Sequence, residues 1–414
     1  MKKVELNNPF ISLRHKNFRY YFIGMCVSTI GTWMQNTAQP WLAYTLTKSA
    51  LLLSLVSALQ YLPILLFSLF AGAIIDRVPK KNILIITQIG AMLTTLALAI
   101  LTWSGKIQYW HLLITSSLLG IVNTFDMPAR QAYMVELAGH DDLMNAIVLN
   151  AMTFNVARVL GPSIAGIVMA FIGIPFCFLA NSISFGAVLI SLFFIRSSTT
   201  ATVRMKPNEG MIASIKEGLL YIRKSHIVFV TLIISLVVCT FAPNYAVTVP
   251  VFAKEILNQG ETGYGFLMSA MGIGSLFGAL LLATQSKAGP KKFFLYVVPV
   301  LVGIILVLVG HTSTYLLTAV TLAITGFLFV TYLSSANSAI QLNTADNFRG
   351  RVMSVYTFVN AGSTPIGNLF VGGIESWFGA RMGFWASGAA ILVFMAPIYL
   401  YLNNKKKHHV TLDT

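Results

Sequence analysis

Acidic residues are scarce: 13 Asp and Glu stand against 28 Lys and Arg in 414 residues. Charged residues of both signs make up only 10% of the chain, where a soluble domain carries about 25%. A water-soluble globule is excluded, because 56% of the residues are apolar and too few polar ones remain to cover them. Cysteine is nearly absent. Cys26, Cys177 and Cys239 all fall inside apolar runs, so no disulfide framework or metal knuckle is implied. The seven histidines (His15, His111, His140, His226, His311, His408 and His409) are scattered without metal-ligand spacing. No P-loop or nucleotide-binding glycine fingerprint occurs, so direct ATP use and a bound cofactor are not expected. A signal peptide is not expected either, since Glu5, Asn7, Asn8 and Pro9 follow Met1-Lys2-Lys3 where an apolar core would stand.

What the chain has is long apolar runs. Charge, Gly/Pro punctuation and polar clusters divide them into twelve segments, approximately 18–45, 50–75, 82–104, 109–134, 143–171, 174–195, 227–252, 263–285, 292–310, 314–340, 350–375 and 380–402. Each is expected to cross the bilayer as a helix, because an open strand edge in hydrocarbon leaves amides unpaired. With both ends placed in the cytoplasm, 22 basic residues fall inside and four outside, namely Lys48, Lys106, Lys254 and Arg381. That asymmetry sets the orientation and accounts for the net charge of +15 without nucleic acid.

The longest hydrophilic stretch, Arg196 to Ser225, splits the spans into two sixes. Within it Ile212, Ile215, Leu219 and Ile222 recur at helical steps among Lys216, Glu217, Arg223 and Lys224, as in a helix lying on the inner leaflet. The expected organisation is a tail at 1–17, a six-helix bundle at 18–195, a linker at 196–226, a second six-helix bundle at 227–402 and a tail at 403–414. The halves look duplicated. Phe171-Ile172-Gly173 followed by Phe178 is matched 206 residues later by Trp377-Phe378-Gly379 followed by Phe384, and Pro162 has a counterpart in Pro365.

The loop after span two runs Gly72-Ala73-Ile74-Ile75-Asp76-Arg77-Val78-Pro79-Lys80-Lys81. Lys80 and Lys81 serve as positive-inside anchors or as part of a device. Asp76, four residues after a Gly at the membrane border, suggests close helix approach with a directed ion pair or a helix-N-terminus contact. This loop resembles the hallmark G-x-x-x-D-[RK]-x-G-[RK]-[RK] of the major facilitator superfamily, with Gly72, Asp76, Arg77, Lys80 and Lys81 in register and Pro79 where Gly is usual. The resemblance implies two pseudo-symmetric six-helix bundles and a cytoplasmic gate braced by Asp76 and Arg77. The corresponding loop of the second half, Gly278 to Lys292, lacks the Asp-Arg pair.

Span four carries Asp126-Met127-Pro128-Ala129-Arg130-Gln131-Ala132, and span five carries Asn155-Val156-Ala157-Arg158 and then Gly161-Pro162 and Gly166. Ionisable groups in hydrocarbon are expected to face the bundle interior in pairs. Asp126 and Arg130 are one turn apart, and counting at about 1.5 Å per residue places Arg158 at their depth. The three form either a neutralised pin between helices or a charge relay with Asp126 as proton carrier. An Arg neighbour opposes protonation of Asp126 unless the pair parts in one state.

The helix-four and helix-five segments, with Arg349-Gly350-Arg351-Val352-Met353-Ser354 and Pro365-Ile366-Gly367-Asn368, resemble bacterial drug and siderophore exporters of the DHA3 type, such as enterobactin exporters and macrolide efflux pumps. Gly161, Pro162 and Gly166 also resemble the antiporter motif G-P-x-x-G-G, although a helix kink with close neighbours reads equally from the same residues. Candidate pathway residues are Trp33, Gln35, Asn36, Gln39, Gln60, Tyr61, Asn150 and Asn155 in the first half. The second half adds Asn244, Tyr245, Asn337, Gln341, Asn360 and Asn368. Each is also a candidate for hydrogen bonds that join helices, and as a set they suit an amphipathic organic substrate. The resemblance implies a monomeric transporter of a bacterial plasma membrane, not an enzyme, exporting a small amphipathic molecule in exchange for protons. A lipid flippase of the same fold and a non-transporting sensor are the alternatives.

Overall fold

In the computed structural model, residues 10–195, 211–285 and 291–410 are described. The linker stretch 196–210, Lys287 and the outermost tail residues lie outside them, as does the side chain of Asp76. A 3-10 turn, Ile11–Arg14, precedes fourteen helices: α1 (Lys16–Thr47), α2 (Ala50–Arg77), α3 (Lys80–Trp103), α4 (Tyr109–Phe171), α5 (Ile174–Phe194), α6 (Met211–Lys224), α7 (His226–Phe241), α8 (Tyr245–Glu255), α9 (Glu261–Gln285), α10 (Lys292–His311), α11 (Tyr315–Leu342), α12 (Asp346–Gly362), α13 (Thr364–Phe378) and α14 (Ala380–Val410).

Among the described residues, ten helical stretches are long and apolar enough to cross a membrane. Two of the twelve spans fall outside that criterion for local reasons. The inner turns of α1 carry Lys16 and Arg19, and its later turns carry Gln35, Asn36 and Gln39, which dilute its apolar content. Span eleven is broken at Ser363 into α12 and α13, each too short by itself. Span seven is broken too, between α7 and α8, at Pro243 and Asn244. Conversely, α4 supplies two spans, Tyr109–Gly139 and Asp141–Phe171, hinged where Gly139 takes φ 70°.

Contacts divide the chain into two units, Met1–Leu46 with Leu62–Met205 and Thr47–Tyr61 with Lys206–Thr414. Residues 47–61 group with the second unit, where Ala50 and Ser54 lie against Gly372 of α13.

In the first unit, α3 packs on α5 and on the first segment of α4 around Ile83, Leu84, Ala129, Tyr133, Val188 and Leu192. The 3-10 turn is pinned to the second segment of α4. Arg14 and His15 both reach the Asp142 carboxylate at 2.8 Å, and the Ser12 hydroxyl donates to Asn145 at 2.7 Å. In the second unit, α9 lies on α11 and α10 on α14. The α6 linker helix docks on the start of α12 by a Tyr221–Phe348 stack at 4.7 Å, a Glu217–Arg351 ion pair and burial of Ile222, while Leu219 remains exposed.

Two glycines show the duplication at backbone level. Gly173 (φ 112°) and Gly379 (φ 92°) make the turns into α5 and α14, a conformation in which a Cβ is strained. They stand 206 residues apart, and Phe178 and Phe384 after them are both fully buried.

Helices α9 and α11 approach closely. A Cβ on Gly274 would overlap the Ala323 carbonyl, and one on Gly326 would overlap that of Met271. Gly274→Ala should therefore lower the unfolding midpoint of the purified protein by several degrees, since overpacking costs about 1–3 kcal/mol. Gly72→Ala should leave the midpoint unchanged or raised, because a Cβ there meets open space.

Candidate functional site

The first segment of α4 sets Asp126 and Arg130 on one face, one turn apart, and the apolar packing of α3 carries two polar residues to the same level. The Thr87 hydroxyl and the Gln88 amide donate to Asp126 Oδ1 at 2.7 and 2.8 Å, and Arg130 Nε donates to Oδ2. Asp126 is 5% exposed, so this carboxylate is held by three donors in place of water. Arg130 also touches Met25 Sδ of α1. Tyr21, one turn before Met25, lies edge-on to Tyr133 at 5.6 Å. The Tyr21 hydroxyl and Gln88 Oε1 are buried without a hydrogen-bond partner among the described residues. The result is a buried ionic nest shared by α1, α3 and α4, satisfied at the carboxylate and open at its edge.

Arg158 is not part of that nest, which corrects the depth assigned by counting. Its guanidinium lies 5.3 Å from the Trp33 ring and 5.2 Å from Phe154, whose rings meet edge to face at 5.4 Å. Trp33 is eight residues beyond Met25 on α1, about 12 Å along the helix. Arg130 and Arg158 thus sit at different levels. Gly161 is what brings the two helices together here, because a Cβ on it would overlap Trp33. Pro162 and Gly166 are buried beside it, and the helix runs on through Pro162.

The α2–α3 loop differs in part from expectation. Gly72 makes no close approach within the described residues. Arg77 is exposed in the last turn of α2. Lys80 pairs with Glu136 at 3.7 Å, and Lys81 Nζ donates to the Ile195 carbonyl at 2.8 Å, where a cation suits the C-terminus of α5. Pro79, in place of Gly, is the N-cap of α3.

Several pathway candidates bond to neighbouring groups of the protein. Gln35 and Gln39 lie in a buried chain in which Asn181 donates to Gln35 at 2.6 Å, Gln35 to Gln39 at 3.1 Å, and Gln39 to Ser116 at 2.6 Å. Asn244 donates to the carbonyls of Thr240 and Phe241 and so closes the broken end of α7. Tyr245 is buried edge-on to Phe329, and Asn368 is buried. Asn155 bonds back to the Ala151 carbonyl, Asn360 accepts from the Cys239 thiol at 3.0 Å, and Gln341 donates to Asn337. Asn36, Tyr61 and Asn150 are exposed, and Trp33 and Gln60 are half-buried.

Sequence reasoning missed Thr87, Gln88, Tyr21 and Met25. A polar Thr-Gln pair inside an apolar span was the available signal for the first two, while Tyr21 and Met25 carried none. It also missed the burial of Glu375, whose carboxyl is 4% exposed.

Comparison with known proteins agrees with this architecture. The chain is 27% identical over 396 residues to the staphyloferrin A transporter of Staphylococcus aureus, covering 94% of this chain and 97% of that protein. It is 25% identical over 364 residues to the multidrug efflux pump Tap of Mycolicibacterium fortuitum, covering 86% and 88%. The nucleoside transporter NupG superimposes with a TM-score of 0.74 at 10% identity, covering 93% of this chain and 98% of that one. An inward-facing bacterial homologue of the human lysosomal transporter Spinster gives 0.71 at 12% identity, covering 93% and 96%. At these identities the superpositions speak for the fold, two six-helix bundles with twelve spans. With residues 7–411 matched by the family described as transmembrane secretion effectors, the chain belongs to that family of multi-pass major facilitator transporters.

Proposed function

We propose that this transporter exports an amphipathic small molecule, a siderophore or a drug-like compound, from a bacterial cell in exchange for protons, with Asp126 exchanging the proton. The observation that carries the direction is the near full-length similarity to a protein named as the staphyloferrin A transporter and to another named as a multidrug efflux pump. The Asp126 nest supports the coupling. Intramembrane carboxylates are costly and mark proton relays. Protonation of Asp126 removes the charge that holds Arg130, and with it the tie between α4 and Met25 of α1. A proton thereby acquires a differential effect on two arrangements of these helices, which is what coupling requires.

The substrate is read from the Trp33, Phe154 and Arg158 group. Two rings and a guanidinium at mid-depth suit a molecule with a flat apolar part and an acceptor or anionic part. The test is transport of a panel of siderophores and drugs by proteoliposomes with and without an imposed proton gradient. Gradient-dependent transport of at least one amphipathic compound is expected. Lipid movement with no transport of any soluble compound would point to a flippase and overturn the reading.

A further inference from the structure

Glu375 closes α13 at the outer end of the second unit and has no role in the mechanism above. Its carboxyl is 4% exposed, and neither oxygen has a hydrogen-bond or ion-pair partner among the described residues. A buried polar group left without partners needs a reason, and an unpaired buried carboxylate is among the costliest. The local geometry is specific. The Gly379 turn folds α14 back over the end of α13, and the Glu375 carboxyl lies directly on Gly383, filling the space a Cβ there would need. It lies beside the first turn of α14, whose amides are natural partners of an anion, yet accepts from none of them.

The 206-residue repeat puts Met169 at the equivalent place in the first half, where it is 5% exposed. The position is thus a core position that packing fills with an apolar side chain, and the second half has a carboxyl instead. The charged groups at this end are few. Lys254 and Glu255 end α8, Glu261 begins α9, His311 ends α10 stacked on Trp385 of α14, Arg381 begins α14, and Lys48 precedes α2. Arg381 is turned to the carbonyls of Gly310 and Thr312 and to Ser313. Between this end and the cytoplasmic one lie Cys239 and Tyr245. His226, Tyr356, Arg349 and Arg351 are toward the inner ends of α7 and α12.

We propose that Glu375 is a second proton-exchanging group, which takes its proton from the outer solution and holds it while the carboxyl is enclosed against Gly383. One proton is bound from the outer solution while the end of α13 is open to water, it neutralises the carboxyl for closure on α14, and it returns to the same solution on reopening, so Glu375 gates the outer end and carries no net proton inward. This rests on the proton-exchange reading given above and extends it to the second unit. It requires no new partner and uses an enclosed carboxyl whose charged form has no donors in the closed arrangement.

The experiment uses reconstituted full-length protein, with Asp126 intact. Wild type is first assayed for gradient-driven export and for proton movement by an entrapped pH-sensitive dye. If export ignores the gradient, proton exchange fails as a whole, independently of Glu375. With gradient dependence in hand, Glu375→Gln and Glu375→Met, the latter copying the Met169 position, should cut gradient-driven export and dye response about tenfold and flatten the dependence on outer pH. Substrate counterflow should remain measurable. As a readout that needs no variant, dicyclohexylcarbodiimide, which modifies protonated carboxyls in apolar surroundings, should label Glu375 of wild type at acid pH and much less at alkaline pH. Retention of export and dye response by either folded variant, or no labelling of Glu375 at acid pH, overturns the proposal.

Discussion

Asp126→Asn should abolish gradient-driven export, at least tenfold below wild type, while leaving counterflow of substrate measurable. The amide keeps an acceptor for Thr87 and Gln88, so the α3–α4 contacts are largely preserved. It cannot bind and release a proton, and it leaves Arg130 without its charged partner. Breaking one side of a buried ion pair costs about 3–5 kcal/mol in soluble proteins, and less where membrane-embedded groups find other partners. A fall in stability could therefore imitate a loss of coupling. The double change Asp126→Asn with Arg130→Gln separates the two effects. It removes both charges and should restore the unfolding midpoint toward wild type, yet remain without gradient-driven export. Recovery of driven export by the double variant would identify the pair as a structural pin. Full driven export by Asp126→Asn alone would remove Asp126 from the coupling step.

Arg158→Ala should have the second largest effect, a drop in export of between about two- and thirtyfold, from the roughly 0.5–2 kcal/mol that a cation over aromatic rings contributes. Arg158→Lys should recover only part of it. A planar guanidinium stacks against the Trp33 and Phe154 faces, whereas an ammonium is a compact, strongly hydrated charge. Unlike the Asp126 variant, the Arg158 variants should keep their dependence on the proton gradient and show the loss in substrate affinity. Cellular accumulation of substrate unchanged by both Asp126→Asn and Arg158→Ala would fit a sensor that moves nothing.

The twelve spans were legible because hydrocarbon thickness demands long apolar runs, and because charge and Gly/Pro punctuation still mark spans that α1 and the α12–α13 pair leave below a purely apolar threshold. The repeat was legible in Gly173 and Gly379, since only the turn residues must keep a left-handed backbone.

Depth was not legible where a helix continues past the membrane. Arg130 is nine residues from the Gly139 hinge and Arg158 nineteen, about 14 and 28 Å of helix, so the two guanidiniums diverge although both look intramembrane by hydropathy. The burial of Glu375 was not legible for the opposite reason. The end of a span is not the end of burial when a tight turn returns the next helix across it, as the Gly379 turn does. The amides were ambiguous from the start, because Gln35 and Gln39 read identically as pathway or as interhelical bonds. The partners that decide between these, Asn181 and Ser116, are 146 and 77 residues away.

The most direct test is simultaneous recording of proton and substrate flux in the same proteoliposomes, for wild type and Asp126→Asn, with the gradient set in either direction. Exchange predicts opposed fluxes in wild type, reversal of substrate flow when the gradient is reversed, and loss of both responses in the variant. Substrate flux that is indifferent to the gradient, or protons that travel in the same direction as the substrate, would contradict it.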